Sequence, residues 1–264
     1  MYTKEQILTQ LKSLVKPCGK PVIVHSSMRA VGKVEGGAQT LLDALIEYFT
    51  ADGGLLIIPT HTWANFEDKK PVILDYTDNK TCTGILSDLA LNDKRGYRSY
   101  NPTHSVVAFG DNAEQFVKAD DLVLTPCSPN GCYAKIIEES GYVLLIGVGQ
   151  EKNTLLHCVE ELLSMPNRMS ALPIKMGIKQ IDGKVVYREF HYLTEEICDT
   201  SLYFPKYEKA FRHHGAIIDG VIGDAKAQFC CASKMKEVAF LIHERSAKKE
   251  LFADDKPITP KYYM

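Results

Sequence analysis

Hydrophobic and polar positions along the chain alternate between a spacing typical of helices and one typical of strands. Thr3 and Gln6 have the spacing of a capping box before a helix that ends near Val15. The pattern then predicts strands at 21–24, 55–58, 105–109 and 142–147 and helices at 37–49, 83–91 and from 111 onwards. This alternation predicts an α/β fold, with a mainly parallel sheet between layers of helices.

The last third of the chain has a different pattern, typical of hairpins. Asp182-Gly183 lies between two β-rich runs in 174–191, and Gly220 and Gly223 interrupt a second pair of runs in 217–229. We therefore expect a mixed sheet, with antiparallel hairpins added late. Because no low-complexity linker or repeat divides the sequence, residues 1–264 are predicted to form a single domain.

Composition and charge exclude several classes of protein. The 264 residues are 45% hydrophobic, so a large core can form, and the formal net charge of −2 provides no electrostatic footprint for nucleic acid. The first residues lack the pattern of a signal peptide, and no apolar run reaches the ~18 residues that a membrane span needs. A soluble, cytoplasmic protein is expected. The eight cysteines contain no Cys-x-x-Cys pair, which indicates that most are buried thiols and not parts of a disulfide framework.

The segment 147–161 contains the strongest candidate for chemistry. His157 follows the predicted strand, and Thr154 before it is of a type that caps helices. Glu160 and Glu161 lie three and four residues after His157, so either carboxylate can reach one imidazole nitrogen while the other nitrogen accepts a proton. This is the layout of a general base. The simpler interpretation is a solvated ion pair, and the spacing alone does not choose between the two glutamates.

A second candidate is the turn after the first predicted strand. His25, Ser26 and Ser27 are followed by the glycine pair Gly36-Gly37 at the start of a helix. Phosphates bind at such places because glycines allow close approach and the first amides of a helix are unpaired donors. The spacing matches neither the Walker loop nor the Rossmann fingerprint, so an ordinary strand-to-helix loop is the alternative.

Two further loops carry polar and aromatic side chains at strand ends. Thr60, His61 and Trp63 follow one predicted strand, whereas His104 precedes another. Ligands of open α/β sheets collect beside the carboxyl ends of the strands, so His25, His61 and His157 are expected near one another. His104 precedes its strand, so this rule does not place it with them.

Four motifs in the same order resemble one known family. They are Val24-His-Ser-Ser27 with Gly36-Gly-Ala38, Pro59-Thr-His-Thr-Trp63, Pro102-Thr-His-Ser105, and Gly147-Val-Gly149 with Asn153-Thr154 and His157-x-x-Glu160. Together, over residues 20 to 245, they resemble the aminoglycoside 3-N-acetyltransferases, the antibiotic N-acetyltransferase family associated with antibiotic resistance. The resemblance implies a three-layer α/β/α sandwich and transfer of acetyl from acetyl-coenzyme A to an amine of an aminoglycoside, without a metal.

The resemblance also implies roles for individual residues. His157 is the expected general base and Glu160 its partner carboxylate. The expected acceptor-binding residues are Thr60, His61, Trp63, His104 and Glu161. The expected coenzyme A-binding residues are Ser26, Ser27, Val31, Gly32, Lys33, Val34, Gly36, Gly37 and Ser105. The chain departs from the family pattern at Asn101, where relatives often have histidine, and in the acidic segment 189–196, where the register is altered.

Other functions remain open at this point. A metal-dependent hydrolase would use His25, His61, His104 and His157 with Cys158 or Glu160. Cys158 as a nucleophile is disfavoured because neighbouring helix positions point about 100° apart. A non-catalytic coenzyme A-binding module and an N-acyltransferase of a different amine are the remaining alternatives. The sequence does not decide the oligomeric state, and a homo-oligomer is left open.

Overall fold

The computed structural model of the chain describes residues 1–63, 72–77, 80–194, 199–249 and 254–264. Its strands are β1 (Pro21–Ser26), β2 (Leu55–Pro59), β3 (Val72–Asp75), β4 (Tyr97–Arg98), β5 (Val106–Phe109), β6 (Tyr142–Ile146), β7 (Ile174–Lys179), β8 (Val185–Phe190), β9 (Ile217–Ile222) and β10 (Ala225–Cys231). Its α-helices are α1 (Lys4–Leu14), α2 (Met28–Val31), α3 (Gly37–Phe49), α4 (Ile85–Asn92), α5 (Ala113–Val117), α6 (Cys132–Glu138), α7 (Leu155–Leu162), α8 (Glu208–His213) and α9 (Ala232–Arg245).

Seven strands form one mixed sheet, in the order β4-β5-β2-β1-β6-β10-β9. The predicted mixed sheet is confirmed, but its parallel part is smaller than expected. Only β1 pairs in parallel with β2 and β6, whereas the four outer pairings are antiparallel. The reason is that β5 runs back along β2 and that the hairpin β9–β10 adds its second strand to β6.

Both late hairpins are confirmed, but they join different sheets. β9 and β10 extend the main sheet, and their turn lies at Gly223-Asp224, so Gly220 is a strand residue. β7 and β8 instead pair with β3 in a separate three-stranded sheet, with β3 parallel to β7. The sequence pattern shows the hairpin but does not show which sheet it joins.

Two apolar layers, one on each face of the main sheet, confirm the α/β/α arrangement. On one face, alternate strand residues such as Val22, Val24 and Leu56 pack against helices α1 and α3. On the other face, residues such as Ile23 and Leu145 pack against α6, α7, α8 and α9. The face that carries α7 is therefore the one that positions His157.

Local signals at the helix ends are confirmed in one case and wrong in another. Thr3 accepts a hydrogen bond from the Gln6 amide, and the Gln6 side chain accepts one from the Thr3 amide, as a capping box requires. Thr154 makes no side-chain cap, because its backbone is already helical, with φ −58° and ψ −24°.

Within the described ranges, no helix has the length and apolar character needed to cross a bilayer. The cysteines of these ranges are free thiols. Cys127, Cys132, Cys158 and Cys230 are buried, as predicted for most of the cysteines, whereas Cys18 is exposed. Cys198 lies outside the described ranges.

Candidate active site

The edge of the main sheet at the carboxyl ends of β1, β2 and β6 gathers three of the predicted histidines. His25 is the fifth residue of β1, and His61 follows β2 by two positions. His104 lies at the same edge because β5 is antiparallel to β2, with Pro59 opposite Val106. Antiparallel pairing places the start of one strand beside the end of its neighbour. His104 therefore lies at this edge although it precedes its strand.

These histidines also point to the face of the sheet that carries α7. Ile23 and Val106 belong to the apolar layer beneath that helix, and side chains two residues apart along a strand share a face. His25 and His104 each lie two positions away from one of these residues. The ring centroids of His61 and His104 are 4.5 Å apart, and His61 Nε2 is 2.8 Å from the hydroxyl of Tyr133 on α6.

A cleft of about 1020 Å³ opens at this edge. Five of the predicted site residues line it, namely Ser26, His61, Trp63, His104 and His157. Trp63 is 53% exposed, so it forms part of the cleft wall and does not fill the core. Further lining side chains include His25, Lys152, Asp199 and Phe204. The cleft therefore contains apolar, aromatic and charged groups beside the histidine cluster.

His157 and Glu160 form one of the two hydrogen-bonded pairs that the helical spacing allowed. His157 lies in the first turn of α7, and its Nδ1 is 2.8 Å from Glu160 Oε2. The ring packs edge-on against Phe204, with centroids 4.9 Å apart, and Nε2 has no hydrogen-bond partner among the described residues. One nitrogen is thus held by a carboxylate while the other is left for a ligand.

Glu160 is itself held by two residues that sequence reasoning missed. Its side chain is 1% exposed, and it accepts a hydrogen bond of 2.6 Å from Arg168 Nε and one of 3.3 Å from Thr200 Oγ1. A buried carboxylate needs such partners because an unpaired charge away from water is costly. Arg168 lies beyond the end of α7, and Thr200 comes from a different segment, so no local spacing identifies either of them.

Glu161 does not belong to the cleft, contrary to the expected role in acceptor binding. Its carboxylate accepts hydrogen bonds of 2.5 Å from Thr125 Oγ1 and 2.8 Å from the Cys127 amide. Burial raises the pKa of Glu161, and these two hydrogen bonds oppose that rise. Of the two glutamates, Glu160 is therefore the hydrogen-bond partner of His157. Glu161 instead binds the loop that contains Thr125 and Cys127.

Ser105 and Thr60 also do not line the described part of the cleft. Both side chains are fully buried. The Ser105 hydroxyl donates to the Thr60 carbonyl at 2.7 Å, and the two side-chain oxygens are 3.0 Å apart. The expected roles of Ser105 along the cofactor channel and of Thr60 in acceptor binding are not supported, because these hydroxyls already tie β5 to the end of β2.

Some positions of the predicted cofactor-binding turn have capping or packing roles, and others are accessible to a ligand. Ser27 accepts a hydrogen bond from the Ala30 amide and caps α2. Val31 and Val34 are buried, and a Cβ at Gly32 would collide with Asp224. These positions have packing roles, and none of them lines the described part of the cleft.

The remaining positions of this turn are accessible. Lys33 and Gly36 are exposed, and Gly37, with φ +68°, has nothing within 4 Å of the place where a Cβ would be. A ligand can therefore approach the backbone at Gly37, at the N-terminus of α3.

Burial sets the charge of the strand-end histidines. It lowers the pKa of His25 and of His104 to about 3. It also lowers the pKa of His61, to which the nearby His104, His25 and His157 add smaller contributions. These three imidazoles are neutral at pH 7. Burial likewise raises the pKa of Cys158 well above its usual range, so this thiol is not a nucleophile at that pH.

A metal site has no geometric support within the part of the chain that the structure describes. There, no three or more His, Cys, Asp or Glu side chains are arranged to hold an ion. Glu160, one of the ligands considered for a hydrolase, already uses both carboxylate oxygens.

Comparisons with known proteins agree with these observations. The family model described as aminoglycoside 3-N-acetyltransferase matches residues 23–242. Aminoglycoside N(3)-acetyltransferase IV of Salmonella sp is 33% identical over 199 residues, which are 75% of this chain and 71% of the relative.

Solved structures give the same result. A histidine-to-alanine mutant of aminoglycoside acetyltransferase AAC(3)-IVa, in complex with a gentamicin, superposes with a TM-score of 0.77. It is 28% identical, and the match covers 93% of this chain and 90% of that one. The structure named AAC-IIIb binary with CoASH has the same fold, with a TM-score of 0.77, 23% identity and coverage of 92% and 97%. The chain is therefore an enzyme that belongs to the aminoglycoside 3-N-acetyltransferase family.

Proposed function

We propose that this protein transfers the acetyl group of acetyl-coenzyme A to the 3-amino group of an aminoglycoside, with His157 as general base. The observation that carries this proposal is the His157–Glu160 pair at the wall of the cleft, in a member of this family. An imidazole whose second nitrogen is available to a ligand is suited to proton transfer near pH 7.

The reaction balances without a covalent acyl-enzyme. The acceptor reacts as the free amine, after its ammonium form has lost one proton to solvent. The amine nitrogen bonds to the thioester carbonyl carbon as the carbonyl π electrons move to oxygen, and His157 Nε2 accepts the second proton. When the carbonyl re-forms, the carbon–sulfur bond breaks and the imidazolium protonates the departing thiolate. The products are an amide and the thiol of coenzyme A.

Glu160 orients the base and stabilises its charged form. The hydrogen bond at Nδ1 fixes the tautomer that leaves Nε2 as the proton acceptor, and the carboxylate favours the imidazolium that then forms. Arg168 and Thr200 hold Glu160 in place. The base is thus positioned by a carboxylate that two further residues hold.

For the donor, Ser26 is the predicted contact that lies in the cleft. The open backbone at Gly37, at the N-terminus of α3, is the proposed place for phosphate oxygens. Lys33 beside it is exposed and adds a positive charge that favours a pyrophosphate. The pantetheine arm would then run from this turn past Ser26 towards His157.

For the acceptor, we propose the side of the cleft formed by His61, His104 and Trp63. Two of these are neutral imidazoles, which do not repel a cationic amine. Asp199 and Glu151 are carboxylates of the same cleft, and they attract cationic groups of an aminoglycoside. Glu195 and Glu196, from the acidic segment considered above, lie outside the described residues.

An acceptor screen tests the proposal. Purified protein is mixed with acetyl-coenzyme A and either aminoglycosides or simple amines, and release of the free thiol is followed. Release with aminoglycosides, with the product acetylated at the 3-amino group, is expected. Release with simple amines alone would favour an N-acyltransferase of a different substrate. Binding of acetyl-coenzyme A with no release for any acceptor would favour a non-catalytic binding module.

A further inference from the structure

His25 is a cleft residue to which the proposed mechanism assigns no task. It lies on β1 opposite Leu145 of β6, the strand that leads to α7, and it shares the sheet face of Ile23 beneath that helix. Because β1 and β6 are adjacent and parallel, His25 and the segment carrying His157 leave the sheet at the same edge. A ligand atom at the inner end of the cleft would therefore lie between β1, which carries His25, and α7, which carries His157.

The hydrogen bonding of His25 differs from that of the other strand-end histidines. His61 Nε2 is paired with the Tyr133 hydroxyl, and His104 Nδ1 is paired with the Thr103 hydroxyl. His25 Nε2 is buried, yet it has no hydrogen-bond partner among the described residues. Buried polar atoms are nearly always hydrogen-bonded, so such an exception in a ligand cleft indicates a partner that arrives with the ligand.

The charge state of His25 determines what kind of partner fits. Burial lowers its pKa to about 3, so the ring is neutral at pH 7 and carries one N–H donor. A neutral donor does not repel a cationic acceptor amine. With so low a pKa it is also a poor base, so it does not compete with His157 for the proton. A hydrogen-bond acceptor that gains negative charge during the reaction is the matching partner.

We propose that His25, as the tautomer with its proton on Nε2, donates a hydrogen bond from Nε2 to the carbonyl oxygen of the acetyl thioester and stabilises the oxyanion that forms there. This inference rests on the proposed acetyl transfer. The thioester carbon then lies between two imidazoles with opposite tasks. His157 takes the proton from the attacking amine, and His25 holds the oxygen that receives the carbonyl electrons. No proton leaves His25, so the reaction balance is unchanged.

A matched pair of substitutions tests the assignment. His25→Gln keeps a polar N–H at the end of a side chain that reaches towards the position of Nε2, whereas His25→Met has similar length and no donor. We expect kcat to fall about 100-fold in His25→Met, the size typical for loss of one oxyanion donor. In His25→Gln, kcat should be at least about tenfold higher than in His25→Met. Free coenzyme A lacks the acetyl thioester carbonyl. Its Kd should therefore stay within about threefold of wild type in both variants.

Two outcomes of these measurements contradict the inference. An unchanged kcat in His25→Met would show that the imidazole does not act on the reaction. Equal kcat losses in His25→Met and His25→Gln, with the Kd of coenzyme A raised in both, would show that His25 only shapes the donor site.

A spectroscopic measurement separates failure of this inference from failure of the proposed function. Acetyl-coenzyme A labelled with ¹³C at the carbonyl is bound to each protein without acceptor. A hydrogen bond to the oxygen moves the carbonyl resonance downfield in wild type, and this shift should be lost in His25→Met and partly kept in His25→Gln. Absence of binding to wild type would contradict the proposed function. Binding with the same resonance in wild type and His25→Met would contradict the role of His25 alone.

Discussion

The histidines of the cleft fall into two regions with opposite electrostatics. On α7, His157 is hydrogen-bonded to a buried carboxylate that Arg168 also holds. At the strand ends, His25, His61 and His104 have neutral partners or none among the described residues, and burial lowers the pKa of each of them. A hydrogen-bonded carboxylate orients an imidazole, whereas burial without a charged partner keeps the ring neutral. The role of each histidine therefore follows from what its ring contacts and not from its presence in a motif.

Removal of the base in the first region should have the largest effect. In His157→Ala, we expect kcat to fall at least ~100-fold, because a positioned general base contributes roughly 10² to 10⁴ in rate. Binding of coenzyme A should persist, since the substitution removes a group that acts on the amine. Steady-state thiol release and calorimetric titration with coenzyme A measure the two quantities. Near-normal turnover would contradict the assignment of the base.

The two adjacent glutamates provide a matched test of the partner carboxylate. Glu160→Gln should lower kcat by about 100-fold, because Nδ1 loses the charge that stabilises the imidazolium and fixes the tautomer. Glu161→Gln changes the next carboxylate, which contacts Thr125 and Cys127 instead. It should keep kcat within a few-fold and lower the melting temperature. Equal losses of kcat in both variants would mean that the hydrogen bond to His157 has no special role.

Arg168 should have a smaller effect, which acts through Glu160. Arg168→Lys keeps the positive charge but cannot reproduce the geometry in which Nε donates to Glu160 while Nη1 donates to the Pro166 carbonyl. We expect kcat to fall by about tenfold, which corresponds to one weakened charged hydrogen bond of ~1.4 kcal/mol. The KM for acetyl-coenzyme A should not change, because Arg168 acts on the base and not on the donor. A raised KM with unchanged kcat would instead indicate direct contact with substrate.

The difference between the two regions also explains what the sequence could predict. Helix spacing identified His157 with a partner carboxylate at position 160 or 161, because side chains three or four residues apart along a helix share one face. It could not choose between Glu160 and Glu161, since this depends on Thr125, Arg168 and Thr200, which come from separate segments. The rule that ligands bind beside strand ends identified His25 and His61. The position of His104 could not be predicted in this way, because it depends on the direction of β5, which the antiparallel pairing with β2 shows.

The glycine-rich turn shows a further limit of sequence reasoning. Gly32 and Gly36-Gly37 are all of the type that phosphate loops use, yet a Cβ at Gly32 meets Asp224, whereas Gly37 faces open space. Positive φ angles at both positions explain why glycine is needed but not for what purpose. Only the distant hairpin β9–β10, which brings Asp224 against Gly32, separates a packing glycine from one that a ligand can approach.

The smallest predicted effect concerns the pH dependence of stability in the second region. The pKa of His104 is about 3 in the folded protein and near 6.5 when unfolded, so the unfolded chain binds the proton first as pH falls. The stabilising contribution of the neutral ring is therefore present above pH ~6.5 and is lost as pH decreases towards 3. Between pH 7 and 6, the unfolding free energy should decrease by ~0.7 kcal/mol for each such imidazole. Urea unfolding of wild type and His104→Leu at both pH values measures it, and the variant should lose ~0.7 kcal/mol less. Equal losses would mean that His104 is already protonated, or titrates normally, in the folded cleft.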